Sequence, residues 1–366
     1  MACVLALACT TTPPPRCLLE AGETLGATAG LRFDHLALGP RGEAVASSAE
    51  GLRRFRPGAP AERLGPACDG GLAVHEGPRH TWLACLTRPY AAKDEPGVLT
   101  LRTLAGPHAP PRRHTFAAGS ADSAGVALAD HPDGGLALAW HGAGRVFAGR
   151  LAVTEEGDAG ELEAALVSAP SARAGVPRLL RDGARTVLTY GETWRDAAGA
   201  GGRVVVVDLA GGRPREVAEL RGDVPPAPDL ARDARGLVVV YREQRPGRNT
   251  ALYAQRLRDD LRPHGPSRRV ARADEDGRPS ALACAGSLVT VTPRRWGQAR
   301  IIAARVLDAS LRDRLPERQL YEWGARFDAV TARCRQDAVS LLVSERSLPG
   351  AAPATLQQLV LRCEER

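Results

Sequence analysis

Lysine, methionine, asparagine and isoleucine are almost missing from this chain of 366 residues. Lys93, Met1 and Asn249 are the only residues of their types, and Ile301 and Ile302 are the only isoleucines. Such depletion is typical of a very GC-rich genome, in which arginine takes the place of lysine. Codon usage therefore accounts for the net charge of +7 at least as well as a polyanionic partner does. Because the arginines are scattered along the chain, we expect no nucleic-acid binding.

Long apolar runs are also missing, which excludes an ordinary membrane-spanning helix. A span needs about 18 or more apolar residues in succession, and no such stretch occurs. Hydrophobic residues make up 44% and charged residues 25% of the chain, the mix of an ordinary globular domain.

The start of the chain is similar to the end of a bacterial lipoprotein signal. Residues 1–9 are apolar and small and close on Cys9, and a Thr/Pro segment follows. A positively charged beginning is missing, and Ala6 stands where leucine is usual. We expect residues 1–16 to be a signal remnant and tether, with Cys9 lipidated, and residues 17–366 to form one domain. A merely apolar N-terminus is the alternative.

No two cysteines have the C-x-x-C spacing of a zinc or redox site, so we predict neither. Without Cys3 and Cys9, the remaining cysteines form an even set that permits three disulfides in an oxidising, extracytoplasmic compartment. They are Cys17, Cys68, Cys85, Cys284, Cys334 and Cys363.

A short apolar run recurs seven times, and its spacing indicates a repeat architecture. Each run is aliphatic or β-branched and too short for a helix, so it predicts a buried strand, here called B. Successive starts are 38, 54, 50, 51, 51 and 51 residues apart, near the roughly 40 to 50 residues of a propeller blade. The runs are residues 43–48, 81–86, 135–140, 185–190, 236–241, 287–292 and 338–343.

Further strands surround each run. Asp and Gly before it predict an A–B hairpin, alternating segments after it predict strand C, and shorter polar segments predict strand D. Four antiparallel strands repeated radially form a propeller blade, so we predict an all-β, seven-bladed β-propeller. The predicted C strands are 98–102, 203–208, 251–257, 300–306 and 355–361, and the clearest D strands are 215–220 and 317–322.

The seventh unit ends soon after strand C and lacks a strand D of its own. Residues 17–24 have the composition of strand D and can complete it from the N-terminus. In an antiparallel C–D pair the end of C lies beside the start of D, so we predict a Cys17–Cys363 disulfide. Two further pairings are plausible from position, Cys68 with Cys85 inside blade two and Cys284 with Cys334 between blades six and seven.

Motifs that identify named propeller families are absent, including a Trp-Asp blade ending, an Asp-box and a Tyr-Trp-Thr-Asp run. With its repeats and its N-terminal segment, the chain resembles uncharacterised bacterial β-propeller lipoproteins over residues 17–366. That resemblance implies a propeller in the bacterial envelope, in the periplasm or at the outer membrane, whose only membrane contact is a lipid anchor. It implies no named activity.

The loops between strands B and C and those between strands D and A should lie on the same face of the ring. Binding and catalytic residues are often on loops that a rigid scaffold holds in place. The B–C loops combine Arg with Trp or Tyr, a composition of binding hot spots. We predict that a protein or a polar or anionic ligand docks there, with solvated turns as the alternative. The predicted contact residues are Arg88, Tyr90, His141, Trp194, Arg195, Arg242, Arg294, Arg295, Trp296 and Arg346.

Local catalytic motifs are absent as well. The chain has no Gly-x-Ser-x-Gly elbow, no His-Glu-x-x-His pair and no Gly-rich phosphate loop. We therefore favour a monomeric, non-enzymatic binding or scaffolding propeller with no catalytic residue, cofactor or metal. The alternative is a hydrolase or lyase acting on a saccharide or another polar substrate at the central channel, where it would need converging carboxylates or a nucleophile with a base.

Overall fold

The computed structural model describes most of the chain, as β-strands and turns. Its described residues contain no helix long and apolar enough to cross a membrane. Cys9 and the rest of residues 1–15 lie outside the described ranges. Those ranges are residues 16–27, 33–39, 41–77, 79–87, 97–104, 113–117, 124–197, 199–221, 226–243, 250–273, 279–296, 299–319, 326–335, 337–346 and 355–364.

The strands are numbered β1 to β29 in chain order. They are β1 Arg16–Ala27, β2 Phe33–Leu38, β3 Ala44–Ser48, β4 Gly51–Phe55, β5 Glu62–Gly65, β6 Gly71–Glu76, β7 Thr81–Thr87, β8 Val98–Leu104, β9 Arg113–Ala117, β10 Ala124–Asp130, β11 Leu136–Gly142, β12 Arg145–Val153, β13 Ala159–Leu166, β14 Arg173–Ala174, β15 Arg178–Asp182, β16 Arg185–Asp196, β17 Gly199–Asp208, β18 Arg215–Arg221, β19 Asp229–Asp233, β20 Gly236–Glu243, β21 Ala251–Arg256, β22 Arg268–Arg272, β23 Ser280–Cys284, β24 Ser287–Trp296, β25 Ala299–Leu307, β26 Asp313–Gln319, β27 Arg326–Arg335, β28 Ala338–Arg346 and β29 Thr355–Glu364.

These strands form seven antiparallel sheets, the blades of a seven-bladed β-propeller. Blades 1 to 3 are β2–β5, β6–β9 and β10–β13, blade 4 is β14–β18, blades 5 and 6 are β19–β22 and β23–β26, and blade 7 is β27–β29 with β1. The innermost strands β2, β6, β10, β15, β19, β23 and β27 each contact the next, and β27 contacts β2. The predicted fold is confirmed, and all seven predicted B strands are present.

The hydrophobic core is divided among the seven contacts between neighbouring blades. Blade 5 shows why strand B is apolar without interruption. Leu237, Val239 and Tyr241 pack against blade 4, whereas Val238 and Val240, one position out of phase, pack against blade 6. Because successive side chains of a strand point to opposite faces, a strand between two blades needs apolar residues at every position.

Several strand boundaries differ from the prediction; β17, for example, begins at Gly199, four residues before the predicted start at 203. The first unit is short because its strands are short, with five residues each in β3 and β4 and four in β5. The outer strand of blade 6, β26, begins at Asp313, four residues before the predicted start at 317. Residues 320–322 of that prediction lie outside the described ranges.

The N-terminal strand completes blade 7 as predicted. β1 pairs antiparallel with β29, and the Cα atoms of Cys17 and Cys363 are direct partners in the register. The side chains of both cysteines lie outside the described part, so the bond between them stays a prediction.

The other two disulfides are present in the structure. Cys68 is bonded to Cys85 with a Cα–Cα distance of 5.1 Å, and Cys284 to Cys334 with a distance of 5.4 Å. The second bond joins innermost strands of blades 6 and 7. Because stable disulfides persist in oxidising compartments, the pair favours an extracytoplasmic location.

The closure bond has a direct test. Peptide mapping of periplasmically expressed protein under non-reducing conditions should recover Cys17 linked to Cys363, because the register places the two residues side by side. Replacing both with serine should lower the free energy of unfolding by up to about 5 kcal/mol, since the bond closes a very long loop. Free thiols at both positions in the wild type would show the prediction to be wrong.

Candidate functional site

The structure places the predicted contact residues in strands instead of loops. His141 lies in β11, Trp194 and Arg195 in β16, and Arg242 in β20, while Arg294, Arg295 and Trp296 are in β24 and Arg346 ends β28. The loop assignment was wrong because backbone pairing continues past the apolar run, as the Asp196–Gly199 and Trp296–Ala299 registers show. Arg88 and Tyr90 lie outside the described residues, as do the side chains of Arg295, Trp296 and Arg346.

Two of the predicted contact arginines are largely inside the protein. Arg242 is 8% exposed. The Arg294 side chain is 11% exposed and donates to the Glu317 carboxylate on β26, two strands away in the same blade. A partner on the surface would meet little of either guanidinium, so neither is assigned to a contact surface.

The end of the β16–β17 hairpin carries an aromatic ring in a fixed position. Trp194 is half-buried and pairs with Gly201 across the hairpin. A Cβ atom at Gly201 would approach Trp194 Cε2 to 2.6 Å, so the absence of a side chain there lets the indole lie on the backbone. The Arg203 guanidinium carbon is 5.7 Å from the centre of the ring, within range of a cation–π contact.

Arg203 is in turn held by Glu192, whose side chain is only 1% exposed. Glu192 Oε2 accepts hydrogen bonds from Arg203 Nε at 2.7 Å and forms an ion pair with Nη2 at 2.6 Å. The other oxygen, Oε1, accepts from the Ala169 backbone N–H at 2.8 Å. Charge-assisted bonds of this kind are among the strongest in proteins, so the buried carboxylate fixes both Arg203 and the chain around Ala169.

Residues 167–177 connect blade 3 to blade 4 and lie beside this hairpin. Arg145 Nη1 donates to the Ala169 carbonyl at 2.6 Å, and Tyr190 donates its hydroxyl to the Val167 carbonyl at 3.2 Å. Burial raises the pKa of Tyr190 well above its usual range, so the hydroxyl keeps its proton. β14 within this segment pairs with β16, which places exposed Arg173 opposite Thr193.

We call the end of the β16–β17 hairpin, with Arg173, Trp194, Arg195 and Arg203, the blade 4 platform. Trp194 and Arg203 lie on one side of this ladder and Arg173 and Arg195 on the other, because successive side chains of a strand alternate. The platform lies on the B–C face, the face of the ring that holds the B–C hairpin ends and the D–A connections. Arg173 and Arg195 are exposed, and the Arg203 side chain is 33% exposed. Its chemistry is that of a cationic surface with one aromatic ring.

The carboxylates of the innermost strands are occupied by basic partners. Each of the five whose side chains are described contacts an arginine or, in the case of Asp130, a histidine, and three of these contacts join neighbouring blades. Burial raises the pKa of Asp229 despite its arginine partner, and its carboxylate also accepts from the backbone N–H groups of Leu230 and Ala281. The pairs are His75 with Asp130, Arg333 with Glu76, Arg185 and Arg232 with Asp182, Arg178 with Asp229, and Arg256 with Asp233.

A metal site was not expected from the sequence. Across the described ranges, no group of three or more His, Cys, Asp or Glu side chains is arranged to hold a metal ion.

No protein-family model matches the sequence, and no curated protein matches it. Solved structures share its fold. A protein of unknown function from Dyadobacter fermentans is 13% identical, covers 96% of this chain and 100% of its own, and has a TM-score of 0.56. An ancestral GH74 enzyme is 10% identical over 93% of this chain and 48% of its own, with a TM-score of 0.56. The Dos1 propeller is 11% identical over 94% and 95%, with a TM-score of 0.53. These identities show the propeller fold alone.

The role of Glu192 as an anchor can be measured. Glu192→Ala should lower the free energy of unfolding by about 3 kcal/mol, because it leaves Arg203 and the Ala169 N–H without their buried acceptor. Urea denaturation gives the value. Glu216→Ala is the matched control, since Glu216 Oε2 lies 3.8 Å from the same guanidinium with 47% of its side chain exposed, and should cost less than about 1 kcal/mol. Equal losses in the two variants would contradict the assignment.

Proposed function

We propose that this chain is a non-enzymatic binding or scaffolding propeller of the bacterial cell envelope whose partner docks on the B–C face through the blade 4 platform. The observation that carries this is the support of the platform. Trp194 rests on Gly201 and beside Arg203, and Arg203 is fixed by buried Glu192. A surface fixed before binding loses little conformational freedom on association, which favours affinity.

The chemistry of the platform favours an anionic or polar partner. Arg203 lies beside the indole, Arg173 and Arg195 lie on the other side of the same hairpin end, and arginine binds carboxylate and phosphate through two parallel hydrogen bonds. The ring of Trp194 supplies the apolar contact that binding hot spots commonly contain. We therefore propose that the partner, a protein or a smaller ligand, presents a carboxylate or phosphate beside an apolar or ring-shaped group.

The proposed location combines two features. Two disulfides favour an oxidising compartment, and the lipoprotein-like start supports a lipid anchor at Cys9 followed by a tether. In the same proposal the propeller is a monomer that uses no cofactor or metal and reaches the membrane only through this anchor.

A hydrolase or lyase acting on a saccharide at the central channel is the alternative function. The likeness to an ancestral GH74 enzyme is compatible with it at the level of fold. Glycoside hydrolysis uses a pair of carboxyl groups, one of which gives its proton to the leaving group. The described carboxylates of the innermost strands bind arginine or histidine instead, which supports binding over catalysis.

The binding proposal predicts a selective effect of charge reversal. Affinity capture from a bacterial envelope extract should retain a partner on the wild type and lose most of it on Arg173→Glu/Arg195→Glu, because the reversed charges repel an anionic group. Trp194→Ala should reduce the retained amount by about tenfold or more, as expected for a hot-spot tryptophan. Thermal unfolding of each variant checks that the fold is kept.

The matched control is Arg262→Glu/Arg312→Glu, which reverses two exposed arginines in the C–D turns of blades 5 and 6, on the opposite face of the ring. Capture by this variant should equal that of the wild type. Equal losses of captured partner in both double variants would indicate nonspecific charge attraction. Unchanged capture by the platform variants would show that the blade 4 platform is not the docking surface. Release of reducing sugar from a polysaccharide panel by the wild type would favour the alternative function.

A further inference from the structure

The outer edge of blade 3 differs from the outer edges of the other blades. Its last strand, β13, pairs only with β12 among the described strands, so the backbone groups on its outer side have no strand partner. Arginine occurs in β1, β5, β9, β18, β22 and β26, and β26 also contains Pro316, but β13 has no basic residue and no proline. Charged residues, lysine above all, and proline on an edge strand discourage the addition of another strand. β13 carries only the charge of two glutamates over its eight residues, which repels an acidic strand and attracts a basic one.

The same edge is acidic in a chain of net charge +7. Glu161 and Glu163 are both exposed, and neither forms an ion pair with another described residue. Two basic groups lie nearby. Arg150 is the cross-strand partner of Glu163 but binds the carbonyl and the carboxylate of Asp133, and burial lowers the pKa of His131, which favours the neutral ring. A cationic partner is therefore preferred at this edge.

A groove of about 570 Å³ lies between β13 and blade 4. On this side blade 3 contributes a small cross-strand pair, Ala148 and Ala165, together with Arg150 and Glu163. The opposite wall combines the apolar residues Val207, Leu209 and Pro214 with Asp208. The volume is within the range of about 300 to 1,000 Å³ that is usual for ligand sites.

The two faces of β13 require different side chains from an added strand. Positions 161, 163 and 165 lie on the side of β13 that faces blade 4 and the groove. Val167, the next residue in the same alternation, packs into the core shared by blades 3 and 4. Leu162 packs toward blade 2, and Leu166, on the same side, is 47% exposed. Residues of an added strand would thus alternate between the acidic groove and an apolar strip. Lysine and arginine suit the groove because their aliphatic stems can pack on its wall while their charged ends reach the carboxylates.

From these observations we propose that the outer edge of blade 3 binds, by strand addition, an extended segment of another protein in which Lys or Arg alternates with apolar residues. Main-chain hydrogen bonds to β13 supply affinity, and the alternation supplies specificity, as in other cases of recognition at a sheet edge. This surface is separate from the blade 4 platform, which is cationic and lies on the B–C face.

The test uses fluorescence anisotropy with a labelled nonapeptide of alternating Lys and Val as the probe and the full chain as the receptor. The wild type should bind it, and Glu161→Lys/Glu163→Lys should weaken binding by about tenfold or more, because two attractive contacts become repulsive. A Lys-Pro nonapeptide of equal length and charge should not bind, since proline cannot donate the hydrogen bonds of a strand.

Glu156→Lys is the control for charge, because Glu156 is an exposed residue in the turn of the same blade, outside β13. Its binding should match that of the wild type, and thermal unfolding should show all variants folded. Three outcomes would overturn the proposal: equal binding of the Lys-Pro peptide, an equal loss in Glu156→Lys, or no binding by the wild type at millimolar peptide. Self-association of the wild type that Glu161→Lys/Glu163→Lys abolishes would assign the edge to a second copy of the chain and would likewise overturn it.

Discussion

Burial of strand B on both of its faces is the constraint on which the rest of this ring depends. Alternate residues of that strand pack against different neighbouring blades, as in blade 5, where Val239 lies in the core shared with blade 4 and Val240 in the core shared with blade 6. A row of such blades with two free ends would expose an apolar face at each end. The hydrophobic effect, at roughly 25 cal/mol per Å² of apolar surface, therefore favours closure. In blade 7 the N-terminal strand β1 pairs with β29 as the fourth strand, and this pairing closes the ring.

This constraint explains which parts of the fold could be predicted from the sequence. Strands buried on both faces leave an uninterrupted apolar run, and seven such runs at near-constant spacing specify both the architecture and the partner of the N-terminal strand. The ends of the same strands leave no such signal. Thr193, Trp194 and Arg195 continue the β16–β17 ladder through backbone bonds that any residue can make, so a hydropathy pattern cannot distinguish them from a loop. Gly199, Gly201 and Gly202, on the strand that faces them, were the available clue.

Arginine-rich segments of the sequence were a poor basis for predicting a contact surface, because many arginines have partners inside the ring. Many arginines serve the ring itself: Arg178 pairs with Asp229 and Arg232 with Asp182 across the same blade contact, while Arg256 binds Asp233 through two nitrogen atoms. The Asp182 and Asp233 side chains are each 1% exposed, and a buried carboxylate without a cation would destabilise the fold by several kcal/mol. In a chain almost without lysine, arginine has to fill these internal roles. Its frequency in one segment therefore says little about ligands, whereas its partners and exposure do.

Both surfaces to which we assign binding lie where the sequence departs from what the ring requires. A blade needs its B–C hairpin to end at the edge of the core, yet β16 and β17 extend beyond it, as β24 and β25 do in blade 6, and in blade 4 a buried glutamate supports the extension. A blade also needs large side chains toward its neighbour, yet blade 3 presents the small pair Ala148 and Ala165 to blade 4 and leaves a groove. Buried charge and unfilled space both reduce stability. Buried Asp182 and Asp233 hold the ring together, whereas Glu192 holds the hairpin end and the chain around Ala169. Under our two proposals, partners account for this anchored hairpin end and for the groove beside β13, because neither is needed to pack one blade on the next.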